Sequence, residues 1–276
     1  MRFLRALLFT SVFAAACALS LCLATEKLIL GALPQEVSPL HYLAVGGCLL
    51  VYNVHYLAKG YSASDRGAWV SGNRRLNLLF AITGVVLCAI SVFQMPLHVI
   101  EGYVVLAVLS FAYSLPLLPV KGGKRLKEFG VFKPFLLAGV WTIVTSVLPV
   151  LYWHRPIASF PVEIILRFLF IFSLCVAFDV RDLESDAAAG IFTLPYRLGV
   201  RRADGLMHAA LFLFAVLAIV QYVRYPNAAR LIGEWGAALF AYWSIHYVRR
   251  RPSDFGYLLW VDGSMLVYGG VLILIT

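Results

Sequence analysis

Phe178–Gly199 reads FDVRDLESDAAAGIFTLPYRLG and follows directly on Ile164–Ala177, IILRFLFIFSLCVA. An apolar run of membrane-spanning character thus ends in four carboxylates, Asp179, Asp182, Glu184 and Asp186, in a chain with only 14 Asp and Glu among 276 residues. If the helix continues past the membrane surface, Asp179, Asp182 and Asp186 stand at i, i+3 and i+7 and share one face, while Glu184 points away. Three like charges on one face repel and call for a cation. Magnesium suits them, because it prefers oxygen ligands and is commonly shared between a few carboxylates and a phosphate. The plainer alternative is a solvated helix end. Carboxylates at a bilayer edge are costly unless paired or functional, which favours the metal.

The composition supports a membrane setting for that helix. The chain is 62 % hydrophobic and 13 % charged, against about 25 % charged in an ordinary soluble domain. Hydropathy predicts nine spans, near 4–23, 39–58, 76–95, 98–118, 133–153, 161–181, 205–223, 229–248 and 255–275. The first imitates a signal peptide, but its apolar run exceeds the roughly 7–15 residues of such a segment and predicts a retained helix. Threading the spans puts eighteen of the 23 Lys and Arg on one side and four on the other. The positive-inside rule then places the N-terminus and the acidic cluster in the cytoplasm and the C-terminus opposite. The net charge of +9 is a topology signal and calls for no nucleic acid partner. The five cysteines sit in apolar stretches without paired spacing and read as buried thiols. Polar stretches end spans two and six, and basic runs follow spans four and eight, as two related four-helix halves would give.

The motif DVRDLESDAAAGIFTLPYRLG resembles the second aspartate-rich signature of the UbiA superfamily of intramembrane prenyltransferases. That signature runs D-x-x-D-x-E-G-D, then a glycine four residues on, T-L-P and a closing L-G. Asp179, Asp182, Glu184, Asp186, Gly190, Thr193, Leu194, Pro195, Leu198 and Gly199 match it, with Ser185 in place of a glycine. Phe111–Trp141, FAYSLPLLPVKGGKRLKEFGVFKPFLLAGVW, resembles the family's end of span four, its basic loop and its span five. The resemblance implies one all-α domain over residues 1–276, a helical bundle of about nine transmembrane helices. It implies transfer of a prenyl group from a prenyl diphosphate to an aromatic acceptor, helped by Mg2+. Asp182 and Asp186 would hold the ion, with Asp179 a third ligand or a group supporting the ligands from behind. Lys124 and Arg125 would reach the diphosphate, with Lys121, Arg181 and Arg66 as further candidates. Tyr113 would face the allylic cation, or else serve as an interfacial belt tyrosine.

The first acidic signature departs from the pattern. The family form N-D-x-x-D-x-x-x-D aligns at Asn53, but its acids fall on Val54, Leu57 and Tyr61. His55 and Asp65 are the polar residues nearby, and Arg66 or Arg74–Arg75 stand where an arginine is common. Three outcomes follow: Asp65 substitutes for the lost acids, one metal works with added arginine, or the chain binds prenyl diphosphates or quinone-like lipids without turnover. A transporter, which needs broken helices and polar residues at mid-bilayer, fits less well despite Gly46–Gly47 and Gly269–Gly270. Elsewhere, Arg167 and Glu101 lie at similar depth and are expected to pair. Asp262 is a deep acid of functional or structural use, and Glu234 is expected either to snorkel to the outer surface or to pair with Arg230.

Overall fold

The computed structural model describes residues 2–59, 64–114 and 130–275, with side chains described except at 59 and 110–114. Among these residues the chain is helical with no strand. In order come α1 (Arg2–Phe9), α2 (Val12–Leu30), α3 (Pro39–Lys59), α4 (Asp65–Gly72), α5 (Arg74–Gln94), α6 (Leu97–Ser114), α7 (Lys133–Thr142) and α8 (Leu148–Tyr152). There follow α9 (Pro161–Arg181), α10 (Leu183–Ala188), α11 (Leu194–Leu198), α12 (Val200–Arg224), α13 (Ala228–Arg249), α14 (Asp254–Gly256) and α15 (Asp262–Ile275). A π-turn at Ile143–Val147 joins α7 to α8, and another at Tyr257–Val261 joins α14 to α15. Six helices among the described residues are long and apolar enough to cross a membrane: α2, α5, Gly130–Tyr152, α9, α12 and Asp254–Ile275. The other three expected spans correspond to α3, α6 and α13, whose described residues do not meet that requirement; those of α6, Leu97–Leu109, form a shorter apolar helix.

The first expected span, 4–23, is not one helix. The chain breaks at Thr10–Ser11, where Ser11 adopts a left-handed φ of 64°, and α2 then runs on to Leu30. Three side-chain bonds hold the break. Asn53 Nδ2 donates to the Thr10 carbonyl at 2.8 Å, Arg66 Nε to the Phe9 carbonyl at 3.3 Å, and an Arg66 terminal nitrogen to Ser11 Oγ at 2.6 Å. Satisfying backbone groups freed by a break is what permits one among apolar helices.

Helix α9 runs through the middle of the bundle, with Leu166, Phe170, Val176 and Ala177 fully buried. Phe170 meets Phe214 of α12 and Tyr268 of α15 at ring-centroid distances of 5.5 and 4.7 Å. Small residues bring other helices close, as is usual where apolar lipid provides no hydrophobic drive between helices. A Cβ on Gly84 of α5 would stand 2.5 Å from the Leu50 backbone nitrogen, so α3 and α5 meet backbone to backbone. Outward faces of α5, α6, α12 and α13 expose Ile82, Val85, Val105, Phe212 and Leu239, a surface suited to lipid.

Arg167 does not pair with Glu101, contrary to the sequence expectation. Glu101 is exposed, and α6 packs chiefly on α3, α7 and α8. Arg167 turns instead toward α2, donating to the Leu21 carbonyl at 3.2 Å and Thr25 Oγ1 at 3.1 Å, with its guanidinium over the Tyr268 ring. Arg230 does bond Glu234, at 2.9 Å.

Gly84→Ala should lower the stability of the protein in detergent by about 1–3 kcal/mol, the usual cost of overpacking. Gly139→Ala, where a Cβ meets open space, should not lower it. Thermal unfolding followed by circular dichroism checks both.

Candidate active site

The acidic motif does not form one unbroken helix. Helix α9 ends at Arg181, Asp182 is the junction, and α10 restarts at Leu183. The turn stays nearly helical, because the Asp182 amide bonds the Phe178 carbonyl and the Asp186 amide bonds the Asp182 carbonyl. Asp179, Asp182 and Asp186 therefore all reach one cavity, while Glu184 is exposed and does not line it.

That cavity has a volume of about 690 Å³. Its polar end gathers Asp179, Asp182, Asp186 and Asp254 with Arg66, Lys133 and Arg181, and Asp262 also lines it. Toward the far end the lining becomes Tyr52, Cys48, Ala44, Leu43, Leu106 and Tyr103. Tyr56 and Leu43 of α3 both face it, which at 1.5 Å per residue makes it about 20 Å long. Tyr52 and Trp141 lock together there, the indole N–H donating to the phenol oxygen at 3.2 Å.

Ion pairs tie the polar end. Lys133 Nζ lies 2.9 Å from Asp179 Oδ1 and 2.7 Å from Asp186 Oδ2. Arg181 grips Asp182 with both prongs, at 2.7 and 2.9 Å, and also approaches Asp254 Oδ1 at 3.6 Å. Asp254 Oδ2 in turn accepts the Arg66 backbone N–H at 2.9 Å, joining α14 to α4. Asp179 is 2 % exposed, and its Oδ2 has no hydrogen-bond partner among the described residues.

Local sequence explains how Lys133 arrives between the acids. Gly130 lies flat on the strand-like stretch after α10, so close that a Cβ would sit 2.3 Å from the Phe192 carbonyl oxygen. Pro134 then sets the first turn of α7. The start of α7 is thereby pinned to the end of the aspartate motif.

The predicted site residues divide three ways. Asp179, Asp182, Asp186, Arg181, Arg66 and His55 line the cavity. Asn53 does not; it is buried and its amide holds the Thr10 break. Asp65 is exposed at the start of α4 and does not line the cavity either. Lys121, Lys124, Arg125 and the Tyr113 side chain lie outside the described residues. Lys133, Asp254, Tyr52 and Trp141 were not singled out from sequence. Lys133 and Trp141 lie within the Phe111–Trp141 block, which was the available signal.

A second buried cluster sits elsewhere in the bundle. Cys22, Glu26 and His41 are the described residues whose His, Cys and carboxylate donors lie close enough for a metal, within 4.8 Å of one another. The bonding argues against one. His41 Nδ1 accepts the Ser38 backbone N–H at 3.0 Å, so Nε2 carries the proton it shares with Glu26 at 2.5 Å. A metal-bound histidine normally donates its other ring N–H; here binding through Nε2 would demand an imidazolate. Glu26 also accepts the Trp153 indole N–H at 3.0 Å. This is a closed structural network.

The profile of the UbiA prenyltransferase family matches residues 70–257. The chain belongs to this family. It is an integral membrane protein. No curated protein matches it in sequence. Among solved structures it is similar to a UbiA homologue from Archaeoglobus fulgidus bound to GPP and Mg2+, with TM-score 0.65 and 14 % identity over 98 % of this chain and 99 % of that one. The same homologue bound to DMAPP and Mg2+ gives TM-score 0.63 at 13 % identity over 99 % and 100 % of the two chains. Bound to Cd2+ it gives TM-score 0.63 at 14 % identity over 98 % and 99 %. At this identity the likeness is one of fold.

Glu26→Ala should destabilise the protein by about 1–3 kcal/mol for each donor it leaves unpaired. Added Zn2+ should not raise the melting temperature of the unaltered protein. A Zn2+-dependent rise that Cys22→Ser removes would show a metal site there.

Proposed function

We propose that the protein is a magnesium-assisted prenyltransferase that moves a prenyl group from a prenyl diphosphate to an aromatic acceptor. The observation that carries the reading is the single cavity with carboxylates and cations at one end and a long apolar barrel at the other. An amphiphile with a diphosphate head and an isoprenoid tail has that same division.

The residues present suit a divalent ion in charge and donor type; Asp179, Asp182 and Asp186 are paired with Lys133 and Arg181, and among the described residues their ligand atoms do not all lie within 4.8 Å of one another. Five carboxylates line the cavity among the described residues, Asp179, Asp182, Asp186, Asp254 and Asp262, against three cations, Arg66, Lys133 and Arg181. The formal excess is two negative charges, and Asp179 Oδ2 is a buried acceptor still lacking a partner. Asp182 and Asp186 would hold the ion with Asp179. Magnesium there supplies charge neutralisation to a departing diphosphate.

This chain's own side chains do the rest. Arg181 and Lys133 offer N–H donors to diphosphate oxygens, an arrangement most effective where charge develops in a site shielded from water. The allylic C–O bond breaks with its electron pair leaving on the diphosphate, the acceptor's ring carbon bonds the allylic carbon, and the C–H bond of that ring carbon then breaks, its proton passing to the released diphosphate. Tyr52 and Trp141 line the cavity below the polar end, where an aromatic π-system attracts a cation. The apolar barrel holds the tail and excludes water from the cation. By the charge asymmetry of the loops, the aspartate end faces the cytoplasm.

One observation favours a second reading, a binder without turnover. Among the described residues neither α3 nor the start of α4 brings a carboxylate to the cavity: Asn53 of α3 bonds the Thr10 carbonyl, and Asp65 of α4 is exposed. Incubating membranes with labelled geranyl diphosphate and a panel of aromatic acceptors separates the two. A labelled product supports the transferase; retention of intact diphosphate throughout supports the binder.

Purified protein should bind geranyl diphosphate at least about tenfold more tightly with Mg2+ than with a chelator, a difference of about 1.4 kcal/mol. Asp182→Ala and Asp186→Ala should remove that dependence, and Glu184→Ala should keep it. Equal affinity with and without Mg2+ in the unaltered protein would reject the metal.

A further inference from the structure

The reading above leaves Lys133 with two roles that conflict in space. Its ammonium already stands between Asp179 and Asp186, at 2.9 and 2.7 Å, on two of the carboxylates that a divalent ion would use. Both distances are those of charge-assisted hydrogen bonds. The lysine is held there by construction, since Gly130 fixes the start of α7 against Phe192–Thr193. Without that cation, Asp179 and Asp186 would face each other as like charges in a poorly hydrated site.

We propose that Lys133 is an internal stand-in for the divalent ion, released onto the diphosphate head when substrate arrives, so that metal and diphosphate enter the site together. The inference rests on the functional reading above and adds to it an order of binding. Lysine suits the task. It is a compact point charge on a flexible four-carbon stem, and its side chain is 13 % exposed and lines the cavity. In the empty protein it occupies the carboxylates and competes with free metal for Asp179 Oδ1 and Asp186 Oδ2. A diphosphate supplies alternative acceptors of higher charge beside it. The ammonium then exchanges carboxylate oxygens for phosphate oxygens, and the vacated carboxylates take the ion. Metal alone meets a competitor; metal with diphosphate does not.

The test uses Mn2+ as the probe, its binding to the full-length protein in detergent followed by electron paramagnetic resonance, with and without geranyl diphosphate. The unaltered protein should bind Mn2+ alone weakly and at least about tenfold more tightly with geranyl diphosphate. Lys133→Gln should bind Mn2+ alone at least about tenfold more tightly than the unaltered protein, and geranyl diphosphate should add little. Lys133→Arg, which keeps the charge, should restore the weak binding of Mn2+ alone. Lys133→Met repeats the measurement should the amide variant fail to fold. Equal or weaker Mn2+ affinity in the folded neutral variants would overturn the proposal while leaving the functional reading in place. No Mn2+ binding by any protein with geranyl diphosphate present would overturn the functional reading and this inference with it.

Discussion

The structure depends on how carboxylates are neutralised where a helix leaves the apolar layer. An ionised acid in poorly hydrated surroundings is tolerated only with a partner. Helix α9 ends by placing Asp179 where it is 2 % exposed, and the bundle responds by delivering Lys133 from α7 and Arg181 from α9 itself. Asp254 extends the chain of charge to α4 through the Arg66 amide. The starts or ends of α7, α9 and α14 are therefore anchored by one set of ion pairs, and α4 joins them through a hydrogen bond from its backbone. The pairs are not geometrically equal. Arg181 binds Asp182 through two prongs and is fixed in a plane, whereas Lys133 spans two acids as a single mobile charge. The two ties thus differ in how readily each could give way to a ligand of the kind proposed.

The altered first acidic signature has a structural counterpart. Asn53, retained from the pattern, bonds the Thr10 carbonyl, and Arg66 bonds Phe9 and Ser11. Both are committed to the break between α1 and α2. The guanidinium also lies over the Tyr56 ring at 4.1 Å, so much of its donor capacity is engaged before any ligand arrives. Carboxylates from α3 are replaced at this wall of the cavity by Tyr52, Tyr56 and His55. The surviving acids come from α9, α10 and the last helical segment, and the π-turn at Tyr257–Val261 ends where Asp262 begins. Such turns shift the register of a helix by one residue and are frequent at functional sites.

Much of this was legible in the sequence, and what was not has a common cause. The spacing of Asp179, Asp182 and Asp186 is local, and a helical period suffices to bring them together even across the kink at Asp182. The exposure of Glu184 follows from the same period. Lys133 meets Asp186 across 53 residues, and no periodicity reports which helix becomes a neighbour. Arg167 and Glu101 illustrate the same limit: position along a span does not report direction around the helix axis, and α6 packs elsewhere. The break at Ser11 escaped for another reason. Neither Thr10 nor Ser11 is a helix breaker, and the break is held by Asn53 and Arg66, more than 40 residues away.

Two buried acid clusters in one bundle show what distinguishes structure from function. Around Glu26 the carboxylate receives His41 and Trp153, and the imidazole receives the Ser38 amide, so its oxygens are engaged. Nothing further can be added without breaking a bond or creating an imidazolate. Around Asp179 the composition is similar, a carboxylate buried among helices, but one oxygen is unsatisfied and the neighbouring ammonium is tethered to a flexible stem. That cluster opens on a cavity of about 690 Å³. Burial and charge are thus shared by both sites. The difference is residual bonding capacity beside free volume, and it is this that supports the proposal of a ligand site at the end of α9.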